Sequence, residues 1–369
     1  MAVKLSGLEF YTGPTVLGGP DDLDAVIRGF IDGARHSLFI AVQELDSEPI
    51  ARAILAAQQR GVRVQLILEG DYLREPDDPL ADPWQPGGAN ETNRTIHAAL
   101  LRAGLDVVSD LNPAIFHQKF VVRDPGQTRA GVLTGSANFT RTDTGTNTIT
   151  SPALARGNNL NHVVILHGNS AAGQYLREFM RMRSGTYGEL HERFEPRPAE
   201  FRLGRVRVKP LFAPRHGPEM EIMKQMLKAQ HSIDFAMYTF SHTSGIDDTM
   251  LRLLPSVQRI RGVLDRGQGV HTWAATQPLK AAGVQLYTNK PGTGVRKVHH
   301  KLMVIDARLI IVGSFNYTAP ANTINDENII VLGDLEETSP AAETAQQQLA
   351  GYALAEIERI ITDLAQPVP

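Results

Sequence analysis

Apolar residues recur along this chain with two alternating periods. Leu23, Val26, Ile27, Phe30 and Ile31 fall on one helical face, and Asp21 or Asp22 stands where it can cap the helix start. Short apolar runs follow, Leu38 to Val42 and Val62 to Leu68, rich in branched residues and bounded by charged or glycine positions, as buried strands are. A second helical stripe carries Ile222, Met223, Met226 and Leu227. Further strands are expected at Val163 to Leu166 and Ile329 to Leu332, each followed by a helix, around Tyr175 to Met182 and Leu349 to Leu364. Helices alternating with buried strands predict an α/β fold, a sheet with helices on both faces.

The pattern occurs twice. Ala34 to Leu45 aligns without a gap on Ala229 to Phe240, Gly61 to Gly70 more loosely on Arg259 to Gly267, and Leu100 to Gly104 on Leu279 to Gly283. A Gly-, Glu- and Pro-containing stretch, 185–198, reads as the connection, so lobes at 1–198 and 199–369 are expected. Asp71 to Asn93 has no counterpart in the second copy and reads as a long loop bordering a cleft or as an excursion without function.

Composition excludes several chemistries. The 369 residues hold no cysteine, which removes disulfides, thiolate metal sites and a cysteine nucleophile. No stretch approaches the roughly 20 apolar residues of a membrane span, and the amino terminus lacks the apolar run of a secretory signal, so a cytoplasmic protein is expected. The formal charge of −3 gives no general basic field. Attraction to nucleic acid would need a local patch such as Arg202, Arg205, Arg207 and Lys209, which also reads as a solvated basic strand edge.

Each copy carries the same polar set. His117-Gln118-Lys119 with Asp124 is followed by Gly135-Ser136-Ala137-Asn138, and His299-His300-Lys301 with Asp306 by Gly313-Ser314-Phe315-Asn316. In an extended strand the histidine and lysine point to one face, and the turn adds a hydroxyl and a carboxamide. Two such sets facing each other would surround one phosphate. One imidazole would attack phosphorus while the other protonates the leaving oxygen, a scheme that demands no metal or cofactor. His300 points to the opposite strand face and reads as a packed or hydrogen-bonded core residue. Glu44, at the end of the first core strand, could reach the cleft but reads first as a surface carboxylate, and Trp84 and Tyr317 as packing or as stacking surfaces.

The paired motifs resemble the signature of the phospholipase D superfamily. The resemblance implies two pseudo-symmetric α/β/α sandwich lobes with mixed central sheets, an active site at their interface, and metal-independent phosphodiester transfer through a phosphohistidine. It assigns His117 and His299 to catalysis, His117 as nucleophile and His299 as general acid. Lys119, Lys301, Asn138 and Asn316 become the phosphate clamp, assisted by Ser136 and Ser314, and Asp124 and Asp306 become structural acids. Glu327 matches the acid that orients a histidine, while Asn161 stands at the matching place in the first copy, among the substrate-binding positions. A histidine facing Glu327 should therefore have its cationic form favoured. The turn sequences look most like the small bacterial endonucleases of the superfamily, so nucleic acid is the expected substrate and phospholipid headgroups the alternative. Both half-sites lie in one chain, so a monomer would suffice.

Overall fold

The computed structural model describes residues 2–74, 82, 84–149, 156–190 and 196–369. Part of the expected loop at 71–93 and part of the connection at 185–198 thus lie outside the described residues. Two mixed sheets are present. The first runs Val3–Leu5, Leu8–Gly13, Asn158–His167, Gly131–Gly135, Lys119–Arg123, Ser37–Val42, Arg63–Leu68, Asp106–Ser109. The second repeats that order with Phe201–Leu203, Val206–Ala213, Glu327–Leu332, Leu309–Gly313, Lys301–Ile305, Ser232–Met237, Arg259–Leu264, Gln285–Asn289, and adds Ala365–Pro367 at its edge. In each sheet three neighbouring strands are parallel, as helical crossovers require, and their other neighbours along these orders are antiparallel; Val295–Val298 of the second half joins the first sheet beside Asn158–His167, parallel to it.

Helices cover both faces. On the outside, Leu23–Asp32 and Glu48–Gln59 pack on the first sheet and Pro218–Met226 and Ile246–Leu253 on the second, each group closing its own apolar core. Between the sheets lie Asn169–Arg183 and Pro340–Arg359 in one continuous core drawn from both halves. Aromatic rings link the layers there: Phe120 meets Tyr175 edge-on at 5.1 Å, and Tyr175 meets Phe212 at 5.0 Å. The sheets are therefore held face to face by an apolar layer.

The hairpins that open the two halves, Val3–Leu5 with Leu8–Gly13 and Phe201–Leu203 with Val206–Ala213, are absent from the periodicity reading. Helix Glu91–Arg102 begins inside the stretch read as a loop. The basic segment lies on the second hairpin and is largely neutralised. Arg202 pairs with Glu337, Arg207 with Glu200 and Asp334, and the buried Lys209 with Glu221.

Asp124 and Asp306 occupy equivalent left-handed turns, φ 46° and 51°. The Asp124 carboxylate accepts from the backbone N–H groups of Arg35, His36 and Ser37 at 2.9, 2.7 and 2.8 Å. Asp306 does the same with Gln230, His231 and Ser232 at 2.8, 2.7 and 2.8 Å. Each acid thus fixes the entry into the strand beside the motif. Replacing Asp124 by alanine strands three donors, so Asp124→Ala is expected to lower unfolding free energy by about 3 kcal/mol. Urea denaturation measures it, and a loss under about 1 kcal/mol would contradict this role.

Candidate active site

The two halves meet because each histidine segment is hydrogen-bonded to the closing strand of the opposite half. The His117 N–H donates to the Asp326 carbonyl at 2.9 Å, and the Asp326 N–H donates to the Ile115 carbonyl at 3.0 Å. At the equivalent place the His299 N–H donates to the Leu160 carbonyl at 3.0 Å, and Val295–Val298 runs parallel to Asn158–His167. The residue between each histidine and lysine also crosses over. Gln118 accepts from the Asn328 amide at 2.8 Å, and His300 lies against His162, Nδ1 to Nδ1 3.2 Å, with the rings stacked. His300 Nε2 is 3.3 Å from Glu356, so His300 belongs to the interface core.

These exchanges bring His117, His299, Asn138 and Asn316 to the wall of one cavity of about 860 Å³. His117 Nδ1 is 2.7 Å from Glu327 Oε2 across the interface, and His299 Nδ1 is 2.9 Å from Asn161 Oδ1. Each partner oxygen also accepts a serine hydroxyl, Ser314 on Glu327 at 2.6 Å and Ser136 on Asn161 at 2.8 Å. An acceptor that already holds a hydroxyl proton calls for Nδ1–H on the imidazole, which leaves Nε2 of both rings for a substrate. The sequence reading set Ser136, Ser314 and Asn161 among the substrate-binding positions; in the structure their side chains are engaged behind the imidazoles, away from the cavity wall. Their polar groups are fully buried and occupied, and they orient the imidazoles.

The glycine before each serine is set by close approach. A Cβ on Gly135 would stand 2.2 Å from the His162 carbonyl oxygen, and one on Gly313 the same distance from that of Asn328. Only glycine brings the turn this near the closing strand.

The lysines lie beneath the histidines, 1% and 2% exposed. Lys119 Nζ donates to the His117 carbonyl at 2.8 Å and to Gln43 at 3.1 Å. Lys301 Nζ donates to the His299 carbonyl at 2.9 Å and stands 5.2 Å from the Tyr238 ring centre, which meets the His299 ring edge-on at 5.1 Å. Gln43 and Tyr238 hold the same place in the two halves, so the half-sites differ here too.

Burial together with Lys119 and Lys301 holds His117 well below the ordinary histidine range, and burial with Lys301 and Lys297 does the same to His299. Burial brings Lys119 down to about 7 and pushes Glu327 up to about 8. The histidine that faces Glu327 is His117, and desolvation with the two lysines lowers it all the same. An arrangement that disfavours its own cations in this way is completed by an anion.

Sequence reasoning missed Gln43, Tyr238, Lys297 and Asp143, all at the cavity wall. It also placed Glu44 on the surface, whereas the side chain lines the cavity and is pushed up to about 7 by burial and by Asp46 and Asp143. Trp84 is 91% exposed and Tyr317 is buried edge-on against Phe240. Among the described residues no cluster of three or more histidine, aspartate or glutamate side chains is arranged to hold a metal ion.

The model of the "Cardiolipin synthase, PLD-like domain" family matches residues 27–183 and 222–349. The chain belongs to the phospholipase D superfamily. A phospholipase D of Rickettsia bellii is 31% identical over 140 residues, 36% of this chain and 65% of that protein. A mitochondrial cardiolipin hydrolase of Chlamydomonas reinhardtii is 32% identical over 106 residues, 29% of this chain and 46% of that protein. The chain thus spans less than two thirds of these relatives. The fold is similar to that of the phosphatidylserine synthase of Haemophilus influenzae, with a TM-score of 0.63 at 13% identity over 100% of this chain and 88% of that one.

Both site imidazoles are expected to stay neutral well below pH 6.5 in the free protein, and bound phosphate or vanadate should raise their titration midpoints by cancelling the lysine field. Carbon-13 shifts of the histidine Cε1–H groups report this. Midpoints of 6.5 or above without anion would contradict the electrostatic account.

Proposed function

We propose that the chain transfers or hydrolyses the phosphodiester of phospholipid headgroups, without a metal, through a phosphohistidine. The observation that carries the reading is the pair of imidazoles on one cavity, each with Nδ1 occupied and two buried lysines beside them. Binding of the anionic phosphodiester draws a proton from solvent onto His299 Nε2; His117 Nε2 then attacks phosphorus while His299 gives that proton to the departing alcohol oxygen. His299 then takes a proton from water or an acceptor alcohol, whose oxygen attacks phosphorus as the N–P bond breaks. Between the steps His117 carries a bonded phosphoryl group and a positive ring, and the Glu327 carboxylate 2.7 Å from its Nδ1 stabilises that ring. Lys119, Lys301, Asn138 and Asn316 offset and hold the phosphate oxygens.

Three observations favour a lipid over nucleic acid. The curated relatives are named for phospholipid chemistry. The basic segment expected to attract a polyanion is largely tied up in ion pairs. The cavity wall includes Ile115 and Trp273, apolar side chains 42% and 36% exposed that suit acyl chains at a lipid surface. In this reading the lobes divide at 1–198 and 199–369, and one copy of the chain suffices.

The enzyme should release headgroup from vesicles of phosphatidylcholine, phosphatidylglycerol or cardiolipin in the presence of chelator. His117→Ala and His299→Ala should each lower the rate about 10³-fold or more. Cleavage of single-stranded DNA with intact lipids would overturn the substrate, and full activity in either variant would overturn the mechanism.

A further inference from the structure

The half-sites differ, among other things, in which element carries the negative charge. In the second half the carboxylate is on the closing strand: Glu327 accepts from His117, and the Asn325 amide, two residues earlier, donates to it at 3.5 Å. The first half has Asn161 at the strand position, yet the asparagine two residues earlier, Asn159, still donates to a carboxylate, that of Asp143. Asp143 is on the short helix Arg141–Thr144, capped by Thr140, whose counterpart helix Ala319–Thr323 is capped by Thr318 and carries Ala321 at the matching place. The carboxylate has moved from strand to helix.

We propose that Asp143 is the charge partner of His299, a positioning residue that sets the protonation of the general acid from the cavity wall. Its Oδ2 is 3.6 Å from His299 Nδ1, beyond a hydrogen bond but close enough for a direct charge interaction in a buried site, and the carboxylate is 1% exposed. Asn161 supplies the hydrogen bond: its oxygen accepts from His299 and its amide donates to the Asp143 carbonyl at 3.4 Å. The same carboxylate accepts from the backbone N–H of Asn138 at 2.7 Å, coupling the general acid to the phosphate clamp.

Lys301, Lys297, Lys119 and His117 also face His299, with the Tyr238 ring edge-on to it. Asp143 itself faces Glu44 and Asp46 on one side and the two motif lysines on the other. Removing its charge leaves the His299 ring among lysines with only a neutral amide on Nδ1. Because the proton that His299 gives to the leaving alcohol must first be held there, the loss falls on the first step, and most on poor leaving groups.

This rests on the phosphohistidine reading above, so the test has one arm that needs no turnover. In Asp143→Asn the His299 midpoint, followed by carbon-13 NMR with vanadate bound, should fall about tenfold in proton affinity, and Asp143→Asn with Asn161→Glu should restore it. In the first turnover, Asp143→Asn should slow cleavage of a short-chain alkyl phosphodiester about tenfold or more while leaving nitrophenolate release from an aryl diester within about threefold. The alkaline limb for the alkyl substrate should move to lower pH. An unchanged His299 midpoint, or equal loss on both substrates with the pH profile unmoved, would overturn the proposal and leave Asp143 as a brace for Asn138. If the wild type cleaves neither diester, the functional reading fails while the NMR arm still decides the role of Asp143.

Discussion

Two lysines and two histidines must be held around one small volume although each disfavours charge on the others, and this constraint governs the structure. Opposition comes from outside the site. The apolar layer between the sheets, with Tyr175, Phe120 and Phe212 at its centre, presses the halves together. The backbone bonds from His117 to Asp326 and from His299 to Leu160 fix their register. Since each histidine segment is anchored on the other half, neither half-site is complete alone. A buried cluster of this kind contributes little stability by itself and is costly when half-satisfied. Its justification lies in binding an anion.

The pseudo-twofold symmetry is kept where the backbone needs it and relaxed where chemistry differs. Asp124 and Asp306 make the same three hydrogen bonds, and Gly135 and Gly313 approach the closing strands equally closely. Around the imidazoles the halves diverge: Glu327 against Asn161, Gln43 against Tyr238, Asp143 against Ala321. In the proposed mechanism one histidine carries a phosphoryl group and the other passes a proton; their electrostatic needs differ, and these substitutions supply different surroundings.

The sequence carries the motif histidines, lysines and asparagines openly, because their spacing is set within one strand pair, and the layered α/β architecture follows from helical and extended periods in alternation. Other features depend on contacts far apart in the chain. Ser136 and Ser314 look like phosphate donors in the turn, yet the closeness of the strand behind the glycine turns their hydroxyls toward Asn161 and Glu327. Asp143 meets His299 only through the fold. The opening hairpins were hidden because Glu9, Arg207 and Lys209 interrupt their apolar runs. Depth of burial, which decides that His117 is disfavoured as a cation beside Glu327, is invisible to a pattern of residue types.

Whether both imidazoles share one phosphate is decided by a crystal structure with vanadate. A single vanadate is expected, with His117 Nε2 as an axial ligand and His299 Nε2 within hydrogen-bond reach of the opposite axial oxygen. Two separate anions, or one held by a single half-site with the other imidazole turned away, would contradict it.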